Sequence, residues 1–119
     1  MGQSVQIEGI EYVPKDSQMA ETFEDMKYVI CRTYSAGVFA GYLESRNGKE
    51  VVMRKARRLW YWKGASSLSQ LAMEGVNDPD NESKFPCEVD RVELIEAIEI
   101  LDVTKEAQEN INNVPIWKH

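Results

Sequence analysis

Asn47-Gly48 lies between two runs of residues that favour extended backbone, and no other dipeptide in the chain limits the fold as much. Both residues tolerate the positive φ that a two-residue hairpin turn demands, so the chain is expected to reverse here with antiparallel strands on either side. Upstream, Tyr28, Val29, Ile30, Cys31, Arg32, Thr33 and Tyr34 are β-branched or aromatic enough for a strand, Ser35-Ala36-Gly37 supplies a turn, and Val38 to Glu44 forms a second strand. Downstream, Glu50 to Met53 is the third. The path from Val51 to Trp62 exceeds one average strand, which predicts a bend or bulge near Ala56 and a further strand from Arg57 to Trp62. These pieces make an antiparallel meander.

A short helix should follow. Ser66 or Ser67 can cap it, Leu68, Leu71 and Ala72 share one face, and Gly75 ends it. Val76 to Lys84, rich in Asn, Asp and Pro, reads as a loop long enough to be mobile and to serve as a lid. Val92 to Leu101 fits both periods, and its isoleucines with Val103-Thr104 favour a single strand. Thr104 can cap a second helix over Lys105 to Asn113, and Pro115 stops it. Ser17 to Met26 fits a short acidic helix or a loose segment, and the first 25 or so residues carry no firm strand pattern. The expected class is α+β: a small domain rich in antiparallel meander with short helices. Residues 1–26 form a variable polar segment, and residues 27–119 form one domain, consistent with a length of 119 residues that are 43% hydrophobic.

Charge is segregated along the chain. Arg54 to Lys63 holds five cations and three large aromatics in ten residues, and Arg46 to Lys63 carries a local charge of +6 within a chain of net charge −6. A long polyanion should be repelled by the molecule as a whole, whereas a small anion reaching one local pocket is compatible with it. Met1 to Ser17 lacks a basic start followed by an apolar run, and no stretch approaches the roughly 18 apolar residues of a membrane span. A soluble, intracellular protein is expected. Cys31 and Cys87 are read as buried free thiols.

Catalytic and metal chemistry find little support. His119 is the single histidine and stands at the end of the sequence, so neither a Ser-His-Asp nor a Cys-His arrangement is available, and the cysteines lack zinc-ligand spacing. Glu93, Glu96 and Glu99 look like surface solubility, and neither a P-loop nor GxGxxG is present. Binding remains. On a strand over Arg57 to Trp62, alternation puts Arg58, Trp60 and Trp62 on one face and Arg57, Leu59, Tyr61 and Lys63 on the other. Arginine offers a fork for phosphate and an aromatic ring stacks a base, a combination suited to a nucleotide. Two readings stand for Trp60 and Trp62: a stacking surface, or core overlain by arginines. Arg32, Tyr34 and Ser35 form a second group, where a polar turn after a strand presents a hydroxyl and backbone N–H groups. A single-stranded nucleic-acid binder using the Arg and Trp strand is the alternative function.

Three segments are most specific together: Arg32 to Val38, Ala56 to Ala65, and Ser67 to Ala72. In this order, with Lys84-Phe85-Pro86-Cys87-Glu88-Val89 and the Glu-rich stretch to Thr104, the chain resembles the first type of Thoeris anti-defence protein over roughly Tyr28 to Trp117. That phage-borne family acts as a sponge for signalling nucleotides. The resemblance implies a protein without enzymatic activity or cofactor, working in the cytoplasm of an infected bacterial host. It would sequester cyclic ADP-ribose isomers made by a TIR-domain enzyme, so that the NADase effector is never activated. It also implies a homodimer with ligand at the subunit interface, and in some members a hexamer with further sites for cyclic di- or trinucleotides. The matched positions whose chemistry fits are Arg57 and Arg58 for phosphate, Trp60, Trp62 or Phe85 for stacking, and Arg32, Tyr34 and Ser35 for ribose or phosphate. Replacing Arg57 and Arg58 together by Ala is expected to abolish capture of the anion and leave the fold intact.

Overall fold

The computed structural model describes residues 18–118 and, nearer the start of the chain, the backbone of two short antiparallel strands, β1 (Val5–Ile7) and β2 (Ile10–Tyr12). The readings made for Ser17 and His119 concern positions outside the described residues. Sequence patterning did not reveal the β1–β2 pair. From Gln18 to Met26 the backbone makes isolated bridges, Met19 to Thr104 and Phe23 to Met26, where a short helix had been one expectation.

Five further strands form one antiparallel sheet: β3 (Tyr28–Thr33), β4 (Val38–Asn47), β5 (Glu50–Arg58), β6 (Glu88–Leu94) and β7 (Ala97–Asp102). Their order across the sheet is β6-β5-β4-β3-β7. The expected hairpin joins β4 to β5, but its turn lies one residue later than expected, at Gly48-Lys49: Asn47 is a strand residue paired with Glu50, and of the expected Asn47-Gly48 pair only Gly48 has positive φ, +64°. The fold class is the expected one, a small α+β domain with a five-stranded antiparallel sheet and two short helices.

Val92 to Leu101 is not one strand. It is split by Ile95-Glu96 into β6 and β7, which lie on opposite edges of the sheet. A flat five-stranded sheet is roughly 19 Å from edge to edge, whereas the three backbone steps from Leu94 to Ala97 reach at most about 11 Å. The sheet must therefore curl into a partly closed barrel. One hydrogen bond marks the closure, from Ala97 N–H to the Lys49 carbonyl at the tip of the β4–β5 hairpin at 3.0 Å, while Tyr34 N–H to the Glu96 carbonyl at 2.9 Å extends the β3–β7 pairing.

Curling gives the sheet two buried faces. Val29, Cys31, Phe39, Val51, Met53, Ala56 and Leu94 fill the inside of the curl. Tyr28, Ile30, Ala40 and Leu59 pack outward on Leu71, Ala107 and Ile111 of the helices. Covered on both faces, β3 reads as an unbroken apolar run rather than an alternating one. Helix α1 (Leu68–Glu74) starts at Ser67, whose hydroxyl accepts from Gln70 N–H, and ends at Gly75 with φ +79°. Helix α2 (Lys105–Asn113) starts at Thr104, whose hydroxyl accepts from Ala107 N–H and donates to the Met73 carbonyl, linking the two helices.

The loop over Val76 to Lys84 is pinned along its length. Asn110 bonds both N–H and carbonyl of Val76, and the Asp78 carboxylate accepts from Glu82 and Ser83 N–H. Ser83 Oγ accepts from Lys63 N–H, and Lys63 pairs with Glu82 at 3.0 Å. Burial works to raise the Asp78 pKa, but the two N–H bonds, the Ser83 hydroxyl and nearby Lys63 hold it below its usual value. Cys31 is buried as expected, and burial pushes its thiol pKa up. Cys87, expected to be buried, is also free but exposed: it immediately precedes the edge strand β6, whose first four residues are exposed.

Candidate functional site: an aromatic and cationic surface beyond a bulge

A single extra residue in β5 decides the use of the two adjacent arginines. Lys55 sits at φ +50°, and the pairing with β4 shifts register between Ala40 and Tyr42. This is a β-bulge at the place where a bend was expected. Across from it stands Gly41, where an added Cβ would lie 2.8 Å from the Ala56 Cα. The bulge resets the alternation, so Met53 and Ala56, three residues apart, both point inside the curl. Arg57, opposite Ala40, is thereby turned to the helix side, and Arg58, opposite Phe39, to the other.

Arg57 is only 7% exposed. Its Nε donates to the Pro86 carbonyl at 2.9 Å, Nη1 to Ile111 at 2.8 Å, and Nη2 to Phe85, Val114 and Pro115 at 2.9, 2.7 and 3.1 Å. Burial lowers its pKa, with Tyr28 and Glu88 opposing, yet a guanidinium stays charged. Every nitrogen is committed to backbone, so in this structure Arg57 has no fork left for phosphate. Phe85 is 0% exposed and lies under the Arg57 guanidinium at 5.4 Å, so its ring stacks on protein rather than on a ligand.

The proposed strand from Arg57 to Trp62 is also not formed. Strand β5 ends at Arg58, Leu59 N–H makes a last bond to β4 at the Val38 carbonyl, and Tyr61 pairs instead with Lys84 through bonds in both directions. Trp62 turns inward and packs half-buried on the helix-side core, while Trp60 remains 62% exposed. Of the two tryptophans, Trp62 thus joins the core and Trp60 stays on the surface.

Two cations lie on aromatic rings: Arg58, two residues before Trp60, and Lys84, whose backbone is bonded to that of Trp60. The Arg58 guanidinium covers the Phe39 ring at 4.6 Å. The Lys84 ammonium sits 5.9 Å from the Tyr61 ring and 5.6 Å from the Trp117 ring. Lys84 is tied to this region because its carbonyl accepts from Trp60 N–H at 3.1 Å. Among the described residues, no carboxylate lies within ion-pair distance of Arg58 or Lys84. A desolvated ring face holds a cation by about 0.5–2 kcal/mol and leaves its outward N–H donors for an anion.

The second expected group is placed differently. Arg32 pairs with Glu99 at 2.8 Å, and Ser35 Oγ donates to Glu96 at 2.8 Å, so two carboxylates border this turn. Tyr34 beside them is exposed. That end of the barrel is acidic and suits an anion poorly. Sequence reasoning did not select Lys84, Tyr61 or Trp117 as site residues. The alternation of Lys84 with Phe85, one outward and one buried, was the available signal for Lys84; Trp117 reaches the surface through a C-terminal segment with no periodic pattern.

A profile described as a domain of unknown function, DUF6948, matches residues 26–111. The chain belongs to this family. Neither the curated proteins nor the solved structures compared with it give a match. The matched part of the DUF6948 chain includes Arg58, Trp60, Tyr61 and Lys84, and it leaves Trp117 outside. Among the described residues of this DUF6948 protein, no group of three His, Cys, Asp or Glu is placed to hold a metal, and no helix is long and apolar enough to cross a membrane.

Proposed function

We propose that this protein is a non-catalytic sponge that binds and sequesters a cyclic ADP-ribose-type signalling nucleotide, as its resemblance to the Thoeris anti-defence proteins of the first type implies. The observation that carries the reading is a pair of cations with no ion-pair partner among the described residues, Arg58 over Phe39 and Lys84 near both Tyr61 and Trp117, together with exposed Trp60 on a chain of net charge −6. The chemistry is complementary. A cyclic ADP-ribose isomer brings two phosphate charges and a flat purine, and the surface brings two cations and exposed rings. Arg58 and Lys84 would hold the phosphates, and Trp60 would stack the base for about 1–3 kcal/mol. A homodimer would bring two such surfaces around one ligand.

The test is a capture experiment. Purified protein is mixed with cyclic ADP-ribose isomers and cyclic oligonucleotides, the protein is retained on a filter, then heated, and the released small molecules are chromatographed. Recovery of intact nucleotide in proportion to protein is expected, and Arg58→Ala with Lys84→Ala should lose it while unfolding at the wild-type temperature. A converted product would make the protein an enzyme, and no depletion of any nucleotide would overturn the reading.

A further inference from the structure

Both segments that bring Lys84 and Trp117 to the surface are fastened at one point. Lys84 directly precedes Phe85 and Pro86, and Trp117 follows Val114 and Pro115 by two to three residues. The backbone carbonyls of these four residues all accept hydrogen bonds from the Arg57 guanidinium, which also bonds the Ile111 carbonyl in the last turn of α2. The two segments then meet each other, through a parallel bridge of Phe85 with Ile116 and a 2.9 Å bond from Trp117 N–H to the Phe85 carbonyl. A planar fork with five donors is suited to holding carbonyls from separate segments in one plane, and a lysine ammonium is not.

We propose that Arg57 is the positioning residue of the binding surface: it fixes Lys84 and Trp117 in the ring–cation–ring arrangement and contributes nothing to the ligand directly. That this arrangement serves a nucleotide rests on the reading above; that Arg57 builds it does not. The bulge at Lys55 is what makes the division of labour possible, since it sends Arg57 to the carbonyls and Arg58 to solvent.

Hydrogen exchange tests the arrangement without any ligand. In Arg57→Lys, the N–H groups of Trp117 and Lys84, bonded to Phe85 and Tyr61 carbonyls, should lose protection while Ile30 in β3 and Leu71 in α1 keep theirs. Unchanged protection at Trp117 and Lys84 would overturn the proposal, as would uniform loss at all four, which would make Arg57 a general determinant of folding. Capture of the cyclic nucleotide gives the second readout. Affinity should drop at least about tenfold in Arg57→Lys, a loss of about 1.4 kcal/mol, and Arg57→Lys combined with Lys84→Ala and Trp117→Ala should bind no more weakly than the Lys84→Ala, Trp117→Ala pair alone. Additive losses would mean that Arg57 acts through something else. If wild-type protein captures no nucleotide, the functional reading fails and the exchange experiment still decides the role of Arg57.

Discussion

Arg57 and Arg58 are neighbours with the same side chain and opposite fates, and the difference lies in what each meets. Arg57 meets five carbonyls, so removing its guanidinium leaves several acceptors without partners in a half-closed site, at about 1–3 kcal/mol for each that water does not reach. The double substitution of Arg57 and Arg58 by Ala therefore mixes a folding defect with a binding one, and Arg58 with Lys84 is the cleaner pair. Beneath Arg57, burial pushes the Tyr28 phenol far above its ordinary value, Tyr42 adds to the rise, and Arg57 opposes it. Burial also raises the Cys31 thiol and the Tyr42 phenol. In each case the folded pKa exceeds the unfolded one, so the unfolded chain gives up its proton first and the stability present below the unfolded value is lost as pH rises. The urea midpoint should be flat from neutral pH to about 8 and fall above that, through the ordinary thiol and phenol ranges near about 8.5 and 10. Tyr28→Phe should make the fall shallower above about pH 10; an identical alkaline profile would show that Tyr28 is not the group responsible.

The elements divide by how local their causes are. Ser67, Gly75, Thr104 and Asn47-Gly48 act on their own backbone within four residues, which is why both helices and the β4–β5 hairpin are legible in the sequence. The break between β6 and β7 is not, because Ile95-Glu96 carries no turn chemistry and is set by barrel closure onto Lys49. The bend near Ala56 was legible as a length problem, but its consequence for the arginines was not: a bulge reverses every side chain after it. The signal lay in the other strand, in Gly41. Only a missing side chain lets β4 approach the bulge, since a Cβ there would sit 2.8 Å from the Ala56 Cα and 3.0 Å from the Arg54 carbonyl oxygen. Gly41→Ala should thus destabilise the fold by about 1–3 kcal/mol through overpacking. Equilibrium denaturation measures it, and a stability within about 0.5 kcal/mol of wild type would mean that the bulge is not held by that contact. The site was legible only in part for the same reason. Of the residues proposed to bind, Arg58 and Trp60 stand out by composition, whereas Lys84 and Trp117 come from distant segments gathered by Arg57.

At the scale of the whole molecule, the formal +6 of Arg46 to Lys63 overstates the field a ligand would meet. Arg54 is shared between Glu44 and Asp90, and Lys63 is paired with Glu82, so the folded chain presents localised positive charge on an acidic body. Such a surface satisfies a ligand with two charges and offers no track for a strand with many. Salt separates the cases. Two cations braced by rings lose only screened Coulomb attraction as the Debye length shrinks from about 10 Å at 0.1 M to about 3 Å at 1 M, while base stacking is unaffected. Affinity for a cyclic ADP-ribose isomer should therefore weaken by about tenfold or less across that range. Oligothymidylates should not be captured at any length, because a contact with several phosphates releases counterions at roughly 0.7 per phosphate on a single strand and needs a continuous basic groove to do so. A log–log salt slope steeper than about −2, together with affinity that rises with oligonucleotide length, would transfer the Arg58, Trp60 and Lys84 surface to a single-stranded nucleic acid.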